Sequence, residues 1–126
     1  FSIVLKQMGG SIQSGSTLSL STTVTTLAGT GSSGSANGTG TSASFNTPSW
    51  ITTDGTNLYV TDYGNHLIRK IVISTGEVTT LAGTGSSGSA NGTGTSASFN
   101  RPSGITTDGT NLYVVDYNNH LIRQIE

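Results

Sequence analysis

The chain has 126 residues, of which only 9% are charged, and it contains no cysteine, one methionine, one tryptophan and two prolines. Glycine, serine and threonine (18, 19 and 22 residues) fill 59 positions and leave too few strong helix formers for a helical bundle. The net charge of -1 lacks the basic excess that binding to phosphate backbones requires. We therefore expect an all-β protein that has no nucleic-acid partner.

The hydropathy pattern and the first residues bear on where the protein works. No window reaches the ~18 apolar residues of a membrane span, so no membrane partner is expected. The apolar run 1–5 is too short for the core of a signal peptide. Because the first residue is Phe1, we interpret the chain as a processed form or a fragment of a longer one. A polar surface poor in lysine and glutamate favours an extracellular or cell-surface location.

A long internal repeat dominates the sequence. Residues 24–72 align with residues 78–126 at an offset of 54 positions, and 43 of the 49 aligned pairs are identical. Periods of this length are typical of propellers and repeat arrays, and such close copies must occupy nearly the same structural environment. The six differing pairs are Thr47/Arg101, Trp50/Gly104, Thr61/Val115, Gly64/Asn118, Lys70/Gln124 and Val72/Glu126.

Each repeat unit divides into four short apolar strands separated by turn residues. In the first unit, Asp54 and Gly55 favour a hairpin loop between the first two strands. Gly64 aligns with Asn118, and because glycine and asparagine best tolerate a positive φ, we predict one at this position. The predicted strands are residues 51–53, 58–61, 67–73 and 78–82.

Four antiparallel strands in about 50 residues match the size of one propeller blade. The segment 83–101 has no apolar pattern before Phe99, and we interpret it as a loop that crosses from the outer strand of one blade to the inner strand of the next. The apolar residues expected between blades are Leu58, Val60, Leu67, Ile68, Ile71 and their copies.

Residues 102–123 carry the string Pro-Ser-Gly-Ile-Thr-Thr-Asp-Gly-Thr-Asn-Leu-Tyr-Val-Val-Asp-Tyr-Asn-Asn-His-Leu-Ile-Arg, and residues 48–69 carry its near-copy. Both segments resemble the NHL repeat, whose pattern contains Pro-x-Gly-Ile/Val, Asp-x-Gly and Tyr-Val-x-Asp-x-x-Asn-His-x-Ile-Arg. The resemblance implies a β-propeller whose loops on one face bind a partner. The sequence departs from the pattern at Trp50, which replaces the usual glycine, and in its long Gly/Ser/Thr-rich crossover loops.

The number of strands predicts an open ring. The chain divides into an N-terminal extension (1–22), a first repeat (23–76) and a second repeat (77–126) that lacks its outer strand. Residues 24–28 would be an outermost strand, so a neighbouring chain can supply the missing one. Because a propeller needs four to eight blades, we expect a head-to-tail homo-oligomer, with a six-bladed trimer favoured over an eight-bladed tetramer. The alternative is a piece of a longer multi-blade chain.

The N-terminal extension has three interpretations. It could be a hairpin or linker that caps an exposed sheet edge of its own ring. It could instead be a donor strand that pairs with the next assembly and builds a fibre, or a disordered segment.

The charged turn between the second and third strands contains the only histidines. A histidine base oriented by an aspartate is the pattern of a catalytic site. The same residues recur at one spacing in both units, however, which indicates a turn held by hydrogen bonds. No metal or other cofactor is expected, because the third strand lies away from the ring axis on which histidines would converge. These structural residues are Asp62, Asn65, His66, Arg69, Asp116, Asn119, His120 and Arg123.

Aromatic and cationic residues beside the loops are the candidate binding residues. Aromatic side chains on a polar rim stack on sugars or anchor peptides, so a peptide or glycan is the expected ligand of the loop face. The run 29–34 fits G-x-G-x-x-G, but no helix or suitably spaced acidic residue follows, which excludes a dinucleotide site. For Trp50, a second interpretation has equal weight: its side chain fills the central channel of the ring. The binding candidates are Trp50, Tyr63, Arg101, Tyr117 and Asn118.

The sequence thus predicts a non-enzymatic β-propeller scaffold or binding module that is assembled from two-blade chains. Two other functions stay open. One is a structural fibre subunit that is linked through residues 1–22. The other is a lyase or hydrolase that uses residues of the central channel, and it would need a metal or carboxylate cluster that the sequence does not show.

Overall fold

The structure is a computed structural model and describes residues 18–126. Its regular elements are short β-strands and single 3-10 turns, which confirms the all-β prediction. No helix in this range is long and apolar enough to cross a membrane. The interpretations of the N-terminal extension fall mostly on residues 1–17, which lie outside the described residues.

Eight strands form two antiparallel sheets. The strands are β1 (Gly38–Thr39), β2 (Pro48–Thr53), β3 (Asn57–Asp62), β4 (Leu67–Val72), β5 (Glu77–Ala82), β6 (Pro102–Thr107), β7 (Leu112–Asp116) and β8 (Leu121–Ile125). The first sheet has the order β1-β5-β4-β3-β2, and the second has the order β6-β7-β8. The complete four-stranded blade and the three inner strands of a second blade are therefore present as predicted.

The turn between β2 and β3 shows why Asp-Gly follows the first strand of the blade. Gly55 has a φ of 94°, and Oδ1 of Asp54 accepts the backbone N–H groups of Asn57 at 2.7 Å and Thr56 at 2.9 Å. The hydroxyl of Tyr59 donates to Oδ2 of Asp54 at 3.0 Å. The second unit repeats these bonds around Asp108, so the predicted hairpin is confirmed in both units.

The two blades pack face to face through an apolar layer. Ile68 on β4 and Val114 on β7 are fully buried there, and Phe99 from the loop between the blades joins them. Burying one such side chain contributes ~1.5–3 kcal/mol. The inner strands β2 and β6 lie side by side, and the Ser49 hydroxyl donates to the Ser103 carbonyl at 3.0 Å. The second crossover loop (residues 83–101) thus runs from an outer strand to the next inner strand, as predicted.

A second apolar cluster covers the opposite face of the first blade. Val60, Ile71 and Val78 are buried in it, and Phe45 of the first crossover loop (residues 29–47) packs against them. Each crossover loop therefore serves as part of the core, although most of its residues are glycine, serine or threonine.

Residues 24–28, predicted as an outermost strand, form no strand in the structure. Their copy, residues 78–82, lies in β5, because β4 is beside it as a hydrogen-bonding partner. Val24 is 92% exposed, whereas Val78 is fully buried. The strand prediction is wrong for the single chain because strand formation depends on a neighbour as well as on local preference. The structure also adds β1, which pairs with the outer edge of β5.

The predicted positive φ at Gly64 is also wrong. Gly64 lies outside the left-handed region, which is occupied two residues later by His66, at 59°. A Cβ on Gly64 would lie 2.6 Å from the side-chain Cγ of Asn46, so close approach explains the glycine. Its N–H donates to the Asn46 carbonyl at 2.7 Å, and the equivalent bond of Asn118 lengthens to 3.0 Å.

We expect Asp54→Ala to lower the free energy of unfolding by roughly 1 kcal/mol at pH 7, the net contribution of an ordinary hydrogen bond. The N–H groups of Asn57 and Thr56 hold the pKa of Asp54 below its ordinary value. The carboxylate's contribution is therefore present above about pH 4 and is lost as the pH falls through the lowered pKa. Urea unfolding followed by circular dichroism at pH 7 and pH 2.5 measures both effects.

The control for this experiment is Asp54→Asn, which keeps an acceptor oxygen but does not titrate. It should lose less stability than Asp54→Ala at pH 7, and its difference from the parent chain should narrow at low pH. An Asp54→Ala deficit that is equally large at both pH values would contradict the assignment to the ionised carboxylate.

Candidate functional site

A buried ion pair lies in each blade where the second strand turns into the third. Asp62 ends β3 and Arg69 lies on β4, and Nη1 of Arg69 donates to Oδ2 of Asp62 at 2.8 Å with both side chains fully buried. In the second blade, Arg123 and Asp116 form the same pair at 2.7 Å. Buried charges each cost several kcal/mol in lost hydration, so their other polar atoms also need partners.

The first crossover loop supplies the partners of Arg69. Nη1 also donates to the Ser44 carbonyl at 2.8 Å, and Nη2 donates to the Ala36 carbonyl and to Oδ1 of Asn37, both at 2.9 Å. The guanidinium carbon lies 4.9 Å from the centroid of the Phe45 ring, within the range of a cation–π contact. The second blade repeats all of these contacts. The arginine therefore binds the crossover loop to the blade.

Asp62 and Asn65 also form hydrogen bonds with the first crossover loop. Oδ1 of Asp62 accepts the backbone N–H of Asn46 at 2.8 Å. Nδ2 of Asn65 donates to Oδ2 of Asp62 at 2.8 Å and to the Gly34 carbonyl at 2.7 Å. The carboxylate is thus surrounded by structural donors and is shielded from solvent. The second blade repeats this arrangement with Asp116 and Asn119.

His66 joins the first blade to the second. It follows the 3-10 turn Tyr63–Asn65 with a left-handed φ of 59°, and its Nδ1 accepts the backbone N–H of Arg101 at 3.0 Å. Burial lowers the pKa of His66, the charge of Arg101 lowers it further, and the Asp116 carboxylate opposes both. These effects favour the neutral imidazole, which the acceptor role of Nδ1 requires. His120 has the same left-handed backbone, with a φ of 57°.

Three of the five predicted binding residues lie together at the loop face. The guanidinium carbon of Arg101 is 5.3 Å from the centroid of the Tyr63 ring. The ring of Tyr117 lies 6.5 Å from that of Tyr63, centroid to centroid, at an interplanar angle of 47°, and Tyr117 is 58% exposed. We call these three residues the tyrosine–arginine cluster. It spans the blade boundary, because Tyr63 belongs to the first blade and Tyr117 to the second.

The other two predicted binding residues make different contacts. Asn118 follows the cluster directly in sequence, and its Nδ2 lies 3.4 Å from Oδ1 of Asn100. Trp50 lies on the inner strand β2 opposite Thr61 and is 60% exposed. No stacking contact joins Trp50 to another aromatic ring in the described part of the chain.

The remaining motifs bear on nucleotide and metal binding. The glycine run 29–34 continues into an irregular loop whose only helical element is the 3-10 turn Gly40–Ser42, within the residues that the structure describes. Among residues 18–126, no three His, Asp or Glu side chains lie close enough to hold a metal ion.

Sequence reasoning missed the structural role of the crossover loops. Asn37, Ser44 and Phe45 bind Arg69 or pack against it, although the segment showed no apolar pattern. Gly34 is also constrained, because a Cβ there would lie 2.6 Å from the hydroxyl of Ser44. The available signal was the complete identity of residues 29–46 with residues 83–100, which is unexpected for loops that serve only as connections.

The four-stranded blades define a class of protein, the β-propeller-like proteins. In this chain, a buried ion pair holds each crossover loop against its blade. Residues 99–125 match the family model described as NHL repeat, which confirms the resemblance seen in the sequence. NHL repeat-containing protein 2 of Bos taurus is 43% identical over 72 residues, which are 55% of this chain and 10% of that protein.

Two solved structures from Bacteroides thetaiotaomicron share the fold. An auxiliary nutrient binding protein has 29% identity and a TM-score of 0.71, over 79% of this chain and 28% of that one. A protein described as a candidate phosphatase has 27% identity and a TM-score of 0.69, over 80% of this chain and 26% of that one. The chain spans between 7% and 11% of the length of the curated relatives it matches.

We expect Arg69→Met to lower the free energy of unfolding by about 3–5 kcal/mol, because it leaves the Asp62 carboxylate buried without its cation. The double variant Arg69→Met with Asp62→Leu should recover part of this loss, since the uncompensated charge is then removed as well. Urea unfolding curves measure both effects.

Lys70→Met is the matched control for this experiment. It removes a cation from the neighbouring, half-buried position of β4 and should change stability by less than about 1 kcal/mol. Equal effects of Arg69→Met and Lys70→Met would contradict the role assigned to the ion pair.

Proposed function

We propose that the chain is a non-enzymatic, NHL-type β-propeller module that acts as a scaffold and binding surface. One observation carries this proposal: the buried charged residues of the repeat are used in structural hydrogen bonds, whereas Arg101, at a position that differs between the copies, lies beside the Tyr63 ring at the loop face. Asp62 and Arg69 are fully buried, and Arg101, which replaces Thr47, is exposed. A catalytic site would need its charged groups within reach of a substrate.

The tyrosine–arginine cluster is the proposed contact surface. Its two tyrosine rings offer flat apolar area and hydroxyl groups. Arg101 adds a guanidinium that can donate two parallel hydrogen bonds to one carboxylate. This chemistry fits an acidic peptide or a glycan that carries an acidic group. The description of a similar solved structure as nutrient binding supports ligand binding. An extracellular or cell-surface location fits the same role.

We place the module in a homo-oligomeric ring that is built head to tail from three chains. Leu67 and Ile68 of the first blade are 6% and 0% exposed, but their copies Leu121 and Ile122 are 43% and 71% exposed. An apolar surface that is buried in one blade and exposed in its copy supports the proposal that a further blade lies beside the copy. Three chains of two blades give six blades, within the usual range of four to eight.

Two other functions lead to different observations. A fibre in which residues 1–22 link rings would give filaments by electron microscopy instead of separate rings. A lyase or hydrolase in the central channel is favoured by the similarity to the candidate phosphatase. A stoichiometric metal found by elemental analysis of the purified protein would support this enzyme.

We expect light scattering on a sizing column to give three times the 12.8 kDa mass of the chain. Ile122→Lys should shift the mass to that of one chain, because it places a charge on the face that the next blade covers. Ile73→Lys, at an isoleucine that is 42% exposed outside the blade interface, should leave the mass unchanged. A parent chain that stays monomeric across a dilution series would overturn the ring.

We expect the parent chain to bind members of an array of acidic glycans and acidic peptides, and Arg101→Thr to weaken that binding about tenfold, equivalent to ~1.4 kcal/mol. Threonine occupies the same left-handed position in the first copy, where Thr47 has a φ of 56° against 58° for Arg101, so the backbone should tolerate the change. Lys70→Gln is the control for charge, since Gln124 stands at that position in the second copy. Equal weakening by both variants would exclude the cluster as the contact surface.

A further inference from the structure

Two neighbouring side chains of the first blade contact opposite ends of Arg101. They are Tyr63, which begins a 3-10 turn, and His66, which follows that turn. Nδ1 of His66 accepts the backbone N–H of Arg101 at 3.0 Å, and the Tyr63 ring centroid lies 5.3 Å from the guanidinium carbon. Arg101 itself is the last residue before the second blade. The position of its guanidinium therefore depends on how the two blades meet at this turn.

The blades approach each other closely at His66. A Cβ on Gly83, at the start of the second crossover loop, would lie 2.6 Å from the His66 carbonyl oxygen, so a larger residue would push the loop away. The side chain of His66 is half-buried at the same boundary. The hydrogen bond from Arg101 to His66 is thus a fixed contact between the blades and is partly shielded from water.

Protonation of His66 would remove this contact. In the neutral ring, Nδ1 carries a lone pair and accepts a hydrogen bond, whereas an imidazolium has an N–H on both nitrogens and accepts none. The N–H of Arg101 would then face a second N–H group. The imidazolium would also be a second cation near the guanidinium. Acidification therefore weakens the hold on Arg101 in two ways.

The charged groups around His66 favour its neutral form. Arg101 and Asp116 face it from the second blade, and Tyr63 is the titratable neighbour on its own turn. Burial and then the Arg101 charge lower the pKa of His66, while the Asp116 carboxylate opposes both. Asp116 is already paired with Arg123 at 2.7 Å, so it is not free to neutralise an imidazolium. The ring takes up its proton only below about pH 6.5, as the pH falls through the lowered pKa.

We propose that His66 is the positioning residue of the tyrosine–arginine cluster: its neutral imidazole holds Arg101 beside Tyr63, so the cluster binds an anionic ligand near neutral pH and releases it at acidic pH. This role rests on the proposed binding function of the cluster. It adds a means of regulation to that function, in which uptake of one proton at the blade boundary is coupled to ligand release.

An imidazolium would also attract an anionic ligand, which opposes the release. The imidazole contacts the backbone of Arg101, however, and not the guanidinium that meets the ligand. Water and salt screen charges that are not in contact. Paired hydrogen bonds from a guanidinium to an acidic group, by contrast, require a fixed orientation of the side chain. The loss of position therefore outweighs the added charge.

The first experiment follows the backbone amide of Arg101 by NMR from pH 8 to pH 4.5, with no ligand present. In the parent chain, its chemical shift should change in one step that has the same midpoint as the His66 imidazole. His66→Asn keeps an acceptor and tolerates a left-handed backbone, but it does not titrate, so the step should disappear. His120→Asn, the same change in the copied turn, is the matched control and should retain the step.

The second experiment measures binding to the sulfated sugars of the glycan array, because a sulfate ester keeps its charge over this pH range. Between pH 8 and pH 4.5, the parent chain should lose affinity about tenfold, whereas His66→Asn should change by less than about twofold. His66→Gly accepts the left-handed φ but offers no side-chain acceptor, so it should bind weakly at both pH values. Circular dichroism at each pH checks that the variants are folded.

The regulation and the binding surface can fail separately. An affinity loss on acidification that is equal in the parent chain and in His66→Asn overturns the role of His66 and leaves the binding surface standing. An Arg101 step that persists in His66→Asn does the same. If the parent chain binds no acidic member of the array at pH 8, both the binding surface and its regulation are overturned.

Discussion

The buried pair of Asp62 and Arg69 is the interaction on which the blade depends. It joins the end of β3 to β4, and the hydrogen bonds that it needs come from a crossover loop with few apolar side chains of its own. Two desolvated charges are stable only when most of their strong donors and acceptors have partners, and within residues 18–126 the Nε of Arg69 is the one buried side-chain polar atom left without a partner. The loop must therefore adopt one conformation, and the small residues Gly34 and Ser44 permit its close approach to the blade.

Repetition of this pair makes the two blades nearly identical units with unequal surroundings. Ile68 is fully buried and its copy Ile122 is 71% exposed, although the local strands and turns are the same. Gly38 and Thr39 form a strand beside β5, and their copies do not. The exposure of these residues of the second blade is thus set by what lies beside them and not by their local sequence.

One position that differs between the copies shows how a repeat can change a surface side chain without changing its backbone. Thr47 and Arg101 share a left-handed backbone, with φ values of 56° and 58°, so the surrounding hydrogen bonds set the conformation and the side chain is free to vary. In the second copy this freedom places a cation over Tyr63. The proposed contact surface and the structural core therefore draw on different residues of the same unit.

Periodicity and turn chemistry alone were sufficient for the fold class, the four-strand unit and the Asp-Gly hairpins, because strand alternation and turn preferences act over a few residues. They failed for residues 24–28, for β1 and for the φ of Gly64. Each of those depends on a distant segment. A strand needs a hydrogen-bonding partner, and Gly64 has no room for a side chain because Asn46 lies close to it. Tertiary structure also decided that Tyr63, Arg101 and Tyr117 meet while Trp50 lies on the inner strand, since blade stacking brings together residues far apart in the chain.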